Sequence, residues 1–104
     1  MHFLVLARDA DGASALRTGH RQRHVDYWIG QGSRLKVAGA MMSDDGEDAV
    51  PVGSSFLIEA SDESEVRELI AGDPFTTEGI FGSDVTVQRI RPAIGEWFAA
   101  SAKD

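Results

Sequence analysis

Three basic side chains and one distant carboxylate are the residues of this sequence best suited to acid–base chemistry. Arg17, Arg21 and His24 are spaced four and then three residues apart, and Asp73 opens an Asp-Pro-Phe segment far downstream. Offsets of four and seven residues return to nearly the same side of an α-helix, so the basic side chains are predicted to share one face. That face also carries Trp28 and should be buried, where charged groups need partners. A carboxylate such as Asp73 would be one partner, and a bound anion would be another.

An imidazole beside a carboxylate is suited to moving protons near neutral pH. The unperturbed pKa of imidazole is about 6.5, and a carboxylate bonded to one ring nitrogen fixes the tautomer and stabilises the imidazolium. We therefore predict that His24 carries the proton and that Asp73 orients it. Arg17 and Arg21 are predicted to bind a carboxylate or phenolate of a small anionic substrate. Isomerisation and elimination are the reaction classes that this combination of a proton carrier and anion-binding arginines favours. Hydrolysis through a covalent intermediate is not favoured, because no serine lies in a nucleophile-elbow motif and cysteine is absent.

Each assignment has a structural alternative. His24 and Asp73 could form a buried hydrogen bond without catalytic role, and the two arginines could pair with acidic residues of the second helix. Asp-Pro is also a common helix-ending turn, because the residue before proline is pushed out of helical geometry. A metal site from His20, His24 and Asp73 is a further alternative, but no ligand spacing demands one, so we expect no metal or cofactor. The acidic run 44–48 lacks the ligand pattern of a calcium loop and is interpreted as a solvated turn.

Composition restricts the class of protein. A chain of 104 residues with 42% hydrophobic and 26% charged residues suits a single globular domain. The formal net charge of −7 argues against nucleic acid or an anionic membrane as partner. Residues 17–24 nevertheless hold three Arg, two His and no acid, which favours a small anionic ligand. With no cysteine, no signal-peptide pattern at the start and no apolar run of membrane-spanning length, we expect a cytoplasmic protein.

Strand and helix patterns divide the chain into two similar halves. The predicted elements are a strand (2–8), a helix (13–30), a strand (34–42), a strand (53–60), a helix capped by Ser61 or Asp62, and a strand (84–91). The order predicts a ferredoxin-like βαββαβ fold of the α+β class, with an antiparallel sheet and both helices on one face. The other face then needs cover, so we expect a homodimer that packs sheet on sheet.

Alternation along the strands also predicts which side chains share a face. In the second strand these are Leu35, Val37, Gly39 and Met41, and in the third strand Phe56, Ile58 and Ala60. Residues 93–104 are interpreted as a C-terminal tail. Because this tail contains Trp97 and Phe98, it is predicted to lie over an open surface.

The residues resemble the YciI-like (YCII-related) family. The resemblance rests on the string LRTGHRQRHVDYW (16–28), the segments AGA (38–40), DDG (44–46) and GSS (53–55), and the string GDPFTTEGIF (72–81). It extends over residues 1–92, which we take as the domain, and leaves 93–104 as the tail. Ala40 stands where the family often has proline, and the last dozen residues have no clear counterpart.

The resemblance implies a ferredoxin-like fold of the dimeric α/β-barrel type and a pocket with a His–Asp dyad, here His24 and Asp73. We assign Trp28, Gly39, Pro74 and Phe75 to the substrate pocket, together with the two arginines. Members with assigned chemistry act on small ring compounds, including removal of halide from chlorinated hydroxyquinols. Two functions stay open. The first is a small acid–base enzyme for an anionic metabolite that can be aromatic, and the second is a non-catalytic ligand-binding or assembly module.

Overall fold

A computed structural model describes residues 1–96 of the chain. Its elements are β1 (His2–Asp9), α1 (Arg17–Ile29), β2 (Leu35–Met42), β3 (Pro51–Glu59), α2 (Glu63–Gly72), α3 (Pro74–Thr77) and β4 (Phe81–Ile90). The sheet order is β2-β3-β1-β4, and each neighbouring pair is antiparallel. This confirms the predicted ferredoxin-like α+β fold. No helix within residues 1–96 is both long and apolar enough to cross a membrane.

One face of the sheet packs against the helices because apolar side chains alternate along its two central strands. Phe3 and Val5 of β1 and Phe56 and Ile58 of β3 are buried on this face. They meet Trp28 of α1 and a group of side chains from α2, α3, the connection after α3 and the start of β4, namely Val66, Ile70, Phe75, Ile80 and Phe81. This shared core fixes α1 over the sheet, close to the point where α2 gives way to α3.

The second strand departs from simple alternation. Leu35 pairs with Ile58 and Val37 pairs with Leu57, so the register shifts between the two pairs. Directly paired residues share a face, which places Leu35 on the helix side with Ile58 and Val37 on the opposite side with Leu57. The prediction that Leu35 shares one side of the strand with Val37 is therefore wrong, because a bulge between them interrupts the two-residue alternation.

The start of β4 also differs from its prediction. It begins at Phe81, three residues before the predicted strand, and Gly82 allows the chain to pass close to Ala10 at this point. A Cβ atom at Gly82 would lie 3.2 Å from the Cα atom of Ala10, so only glycine allows this close approach without adjustment. The helix cap of α2 agrees with prediction, because the Asp62 side chain accepts a 2.8 Å hydrogen bond from the Glu65 N–H.

The opposite face of the sheet carries exposed apolar side chains. Leu4, Leu6 and Val37 are 44%, 41% and 41% exposed, and nothing within residues 1–96 covers them. Soluble monomers more often expose such side chains singly, so these three form an apolar patch on the open face of the sheet. The prediction that Trp97 and Phe98 lie over an open surface concerns residues outside the described part of the chain.

Candidate active site

A cavity of about 370 Å³ lies between α1 and the helix-facing side of β2 and β3. Six of the predicted site residues line it, namely Arg17, Arg21, His24, Trp28, Gly39 and Phe75. The predicted stripe of α1 is therefore the cavity wall. Asp73 lies behind His24 and is fully buried, whereas Pro74 begins α3 and is not among the lining residues.

The Asp73 carboxylate accepts hydrogen bonds from three groups. His24 Nδ1 lies 2.8 Å and 2.9 Å from its two oxygens. The Trp28 indole donates from Nε1 at 2.7 Å, and the backbone N–H of Phe75 donates at 2.9 Å. The backbone of Asp73 is extended before Pro74, and in this geometry the side chain caps α3. The helix-ending turn and the candidate dyad are thus one structure.

The ring of His24 is oriented by this carboxylate and by an aromatic neighbour. Nδ1 carries a hydrogen in the contact with Asp73, because a carboxylate offers only acceptors. Nε2 is then the acceptor of the neutral imidazole. The ring is 13% exposed and stacks on Phe75, with 3.9 Å between ring centroids and an interplanar angle of 7°. His24, a lining residue of the cavity, therefore has one nitrogen bonded to Asp73 and a second nitrogen without a hydrogen-bond partner among residues 1–96.

Arg17 is held by the protein itself. Its Nη1 lies 2.6 Å from Asp9 Oδ1, its Nη2 lies 2.8 Å from Ser54 Oγ, and its Cζ lies 4.7 Å from the centre of the Phe75 ring. The other Asp9 oxygen accepts from Ser14 Oγ at 2.7 Å. Ser14 opens a 3₁₀ turn, and α1 begins after this turn at Arg17 rather than at the predicted residue 13. The alternative in which Arg17 pairs with the second helix is wrong, because its partner is on β1.

Arg21 lies one turn further along α1 and differs from Arg17 in its surroundings. Its side chain is exposed and lines the cavity. Considering residues 1–96 only, Arg21 makes no hydrogen bond or ion pair. The sequence predicts that both arginines bind one anion, yet only Arg17 already has an ion-pair partner among residues 1–96. The charge of Arg17 is balanced by Asp9, whereas the charge of Arg21 is available to a ligand.

Asp9 and Ser54 are site residues that sequence reasoning missed. They lie 8 and 37 residues from Arg17, and neither the turn-rich run after β1 nor the GSS segment indicates a contact with a helix. Strand pairing is the signal that could have found Ser54. Ala7 is buried on the helix side of β1 and pairs directly with Ser54, so the serine shares that side.

His20 does not join the site. Its Nδ1 lies 3.1 Å from Arg23 Nη1 on the solvated side of α1. In the part of the chain that the structure describes, no three His, Asp or Glu side chains group closely enough to hold a metal ion. The alternative of a metal held by His20, His24 and Asp73 therefore lacks the required geometry.

The family model of the YCII-related domain matches residues 1–91. The chain belongs to the YCII-related family. A search of curated proteins found no match.

One solved structure to which this chain is similar is that of an enzyme. The 5-chloro-2-hydroxyhydroquinone dehydrochlorinase (TftG) from Burkholderia phenoliruptrix AC1100, in complex with 2,5-dihydroxybenzoquinone, is 26% identical with a TM-score of 0.79. This match covers 88% of our chain and 94% of the dehydrochlorinase chain. At3g17210 from Arabidopsis thaliana, 17% identical over 91% of our chain and 97% of its own, has a TM-score of 0.46 and bears no weight on function. The YCII-related chain thus has the α+β fold of the dimeric α/β-barrel type.

Proposed function

We propose that this YCII-related protein is a small enzyme that transfers protons on a one-ring anionic substrate, with isomerisation or elimination as the reaction class. The observation that supports it is the His24–Asp73 pair at the cavity wall. Asp73 holds Nδ1, so Nε2 can exchange a proton with a bound substrate. The buried carboxylate also stabilises the imidazolium that forms when Nε2 accepts a proton.

The cavity suits a small planar anion. Trp28, Phe56 and Phe75 give it aromatic walls against which a ring can pack. Arg21, which has no ion-pair partner in the part of the chain that the structure describes, provides a guanidinium for an ionised oxygen. A volume of about 370 Å³ lies at the small end of the roughly 300–1,000 Å³ range of ligand pockets. These features together favour a single-ring phenolate, enolate or carboxylate as the substrate class.

Loss of chloride from a chlorinated hydroxyquinol is the specific reaction to test first, because the structural match to the dehydrochlorinase covers 88% of this chain. The substrate binds as a phenolate, and His24, as the imidazolium, first donates a proton to the ring carbon that bears chlorine. The phenolate electrons form a carbonyl, and the carbon becomes tetrahedral. The neutral His24 then accepts a proton from a second ring hydroxyl. The O–H electrons form a carbonyl, the adjacent double bond shifts, and chloride leaves with the electron pair of the C–Cl bond. The products of the phenolate are a hydroxybenzoquinone and chloride, and His24 ends as the imidazolium with which it began, so a single residue that gives and takes a proton is sufficient.

Chloride release from 5-chloro-2-hydroxyhydroquinone, with chromatography of the ring product, tests the enzyme proposal. We expect a rate about 10²-fold or more above the buffer rate, the range of general acid–base catalysis. We also expect 2,5-dihydroxybenzoquinone to raise the melting temperature, because it would bind only the native state. A rise in melting temperature without turnover would instead favour the non-catalytic ligand-binding module. If the protein shows no turnover and its melting temperature does not rise, the anion pocket is contradicted.

The functional unit that we propose is a cytoplasmic homodimer in which the two open sheet faces pack together. The exposed Leu4, Leu6 and Val37 support this arrangement, and the absence of cysteine suits a reducing compartment. Light scattering should give twice the chain mass of 11.2 kDa. Leu6→Lys should shift the mass to that of a monomer, whereas Leu16→Lys, outside the sheet, should leave the dimer intact. A monomeric wild type would contradict the dimer.

A further inference from the structure

Ser54 is a buried polar residue of the cavity that uses only part of its hydrogen-bonding capacity. Its side chain lines the cavity, and the residue is 2% exposed. The hydroxyl oxygen accepts a hydrogen bond from Arg17 Nη2 at 2.8 Å. A serine hydroxyl also has one hydrogen to donate. Within residues 1–96, no side chain or backbone oxygen accepts that hydrogen. A buried donor without an acceptor is costly unless a ligand or water completes it.

The direction of the serine hydroxyl is controlled by a fixed network. Arg17 is anchored by Asp9 at 2.6 Å, and Asp9 is anchored in turn by Ser14 at 2.7 Å. Because a guanidinium has donors only, Ser54 Oγ can act toward Arg17 solely as an acceptor. Its own hydrogen must therefore point elsewhere. Electron withdrawal by the cation also makes the hydroxyl a stronger donor. The network thus presents a pre-oriented neutral donor at the cavity wall.

We infer that Ser54 donates a hydrogen bond to an oxygen of the bound ring substrate and that Arg17 is a positioning residue for this hydroxyl. The inference rests on the proposed use of the cavity for a small ring anion. It divides the recognition of that anion between two groups: Arg21 provides the cation and Ser54 the directional donor. Arg17, whose charge is already balanced by Asp9, sets the orientation of Ser54 and does not contact the ligand.

Calorimetric titration with 2,5-dihydroxybenzoquinone tests the role of Ser54. Ser54→Ala should raise Kd by about tenfold, the usual effect of removing one hydrogen bond to a charged acceptor. Ser55→Ala is the matched control, because the neighbouring serine lies on the other side of β3 and donates to the Gly39 carbonyl at 3.0 Å. Its Kd should stay at the wild-type value. Equal Kd values for wild type and Ser54→Ala would overturn the inference. Because the wild type would still bind the ligand in that case, the proposed pocket would not be contradicted.

A double-mutant cycle separates positioning by Arg17 from direct ligand contact. Arg17→Lys keeps the charge but replaces the two guanidinium nitrogens that bind Asp9 and Ser54 separately with a single ammonium, so Kd should rise in the same direction as for Ser54→Ala. If Arg17 acts through Ser54, the double variant should bind no more weakly than Ser54→Ala alone. Additive effects would show that Arg17 contacts the ligand itself and would overturn the positioning role. Melting temperatures and near-ultraviolet circular dichroism confirm that each variant is folded, and no binding by the folded wild type would end the pocket proposal and this inference together.

Discussion

Replacing His24 with Gln is expected to lower the proposed turnover by about 10²–10⁴-fold, the range that general acid–base catalysis contributes. A glutamine amide can still donate a hydrogen bond to Asp73, so the buried carboxylate is not left without this partner. The amide cannot accept and release a proton near neutral pH, so the chemical step is lost although a polar side chain remains. The measurement is kcat for chloride release, with the melting temperature followed in parallel.

His20→Gln is the matched control for this prediction. His20 lies one turn earlier on α1, contacts Arg23 and does not approach the cavity wall formed by His24. Its removal should change turnover by no more than about twofold, as for most surface substitutions. Equal losses in the two variants would indicate an effect on the helix and would remove His24 from the mechanism.

Free imidazole provides a test of the proton transfer itself. His24→Ala leaves space beside the Phe75 ring, on which the native imidazole stacks at 3.9 Å. Added imidazole that enters this space should restore part of the lost turnover, because a proton carrier is again present next to Asp73. A variant that binds 2,5-dihydroxybenzoquinone as the wild type does, yet is not rescued at any imidazole concentration, would count against proton transfer as the missing step.

The α1 stripe could be predicted because helical periodicity is a local property. Spacings of four and three residues place Arg17, Arg21 and His24 on one side of any regular helix, whatever the rest of the fold does. The contact between His24 and Asp73 spans 49 residues, so local periodicity alone could not predict it. It followed from the fold order, which brings both helices to one sheet face, and from the Asp-Pro turn that ends α2 beside α1.

The different roles of the two arginines could not be predicted from the sequence. Arg17 and Arg21 are the same residue type at equivalent positions of one helical stripe. Their difference comes from what lies opposite: β1 brings Asp9 and β3 brings Ser54 beneath Arg17, whereas Arg21 lies at an exposed part of the cavity wall. A carboxylate at a strand end gives no local signal of its long-range partner. The bulge at Leu35 was hidden for a similar reason, since register shifts depend on the paired strand.

Replacing Asp73 with Asn is expected to lower both stability and turnover, and it separates the catalytic interpretation of the dyad from the structural one. The carboxylate is fully buried and accepts from His24, from Trp28 and from the Phe75 backbone. An amide has one oxygen and an NH₂ group that only donates, so at least one donor loses its acceptor. The free energy of unfolding should fall by about 2–3 kcal/mol, the cost of a buried unsatisfied donor beside a lost charge-assisted bond. Urea unfolding measures this change.

The turnover of Asp73→Asn should fall by about 10²–10⁴-fold even in the folded fraction. If the amide NH₂ faces His24, Nδ1 becomes the acceptor and Nε2 carries the hydrogen, which is the wrong tautomer for a base at the cavity. Trp28→Phe is the informative comparison, because it removes one donor to Asp73 and leaves the contact with His24 in place. It should lose about 1–2 kcal/mol of stability and retain most of kcat. If Asp73→Asn loses stability but turns over like wild type once folded, Asp73 stabilises the fold without contributing to catalysis, because orientation of the imidazole then has no bearing on the reaction.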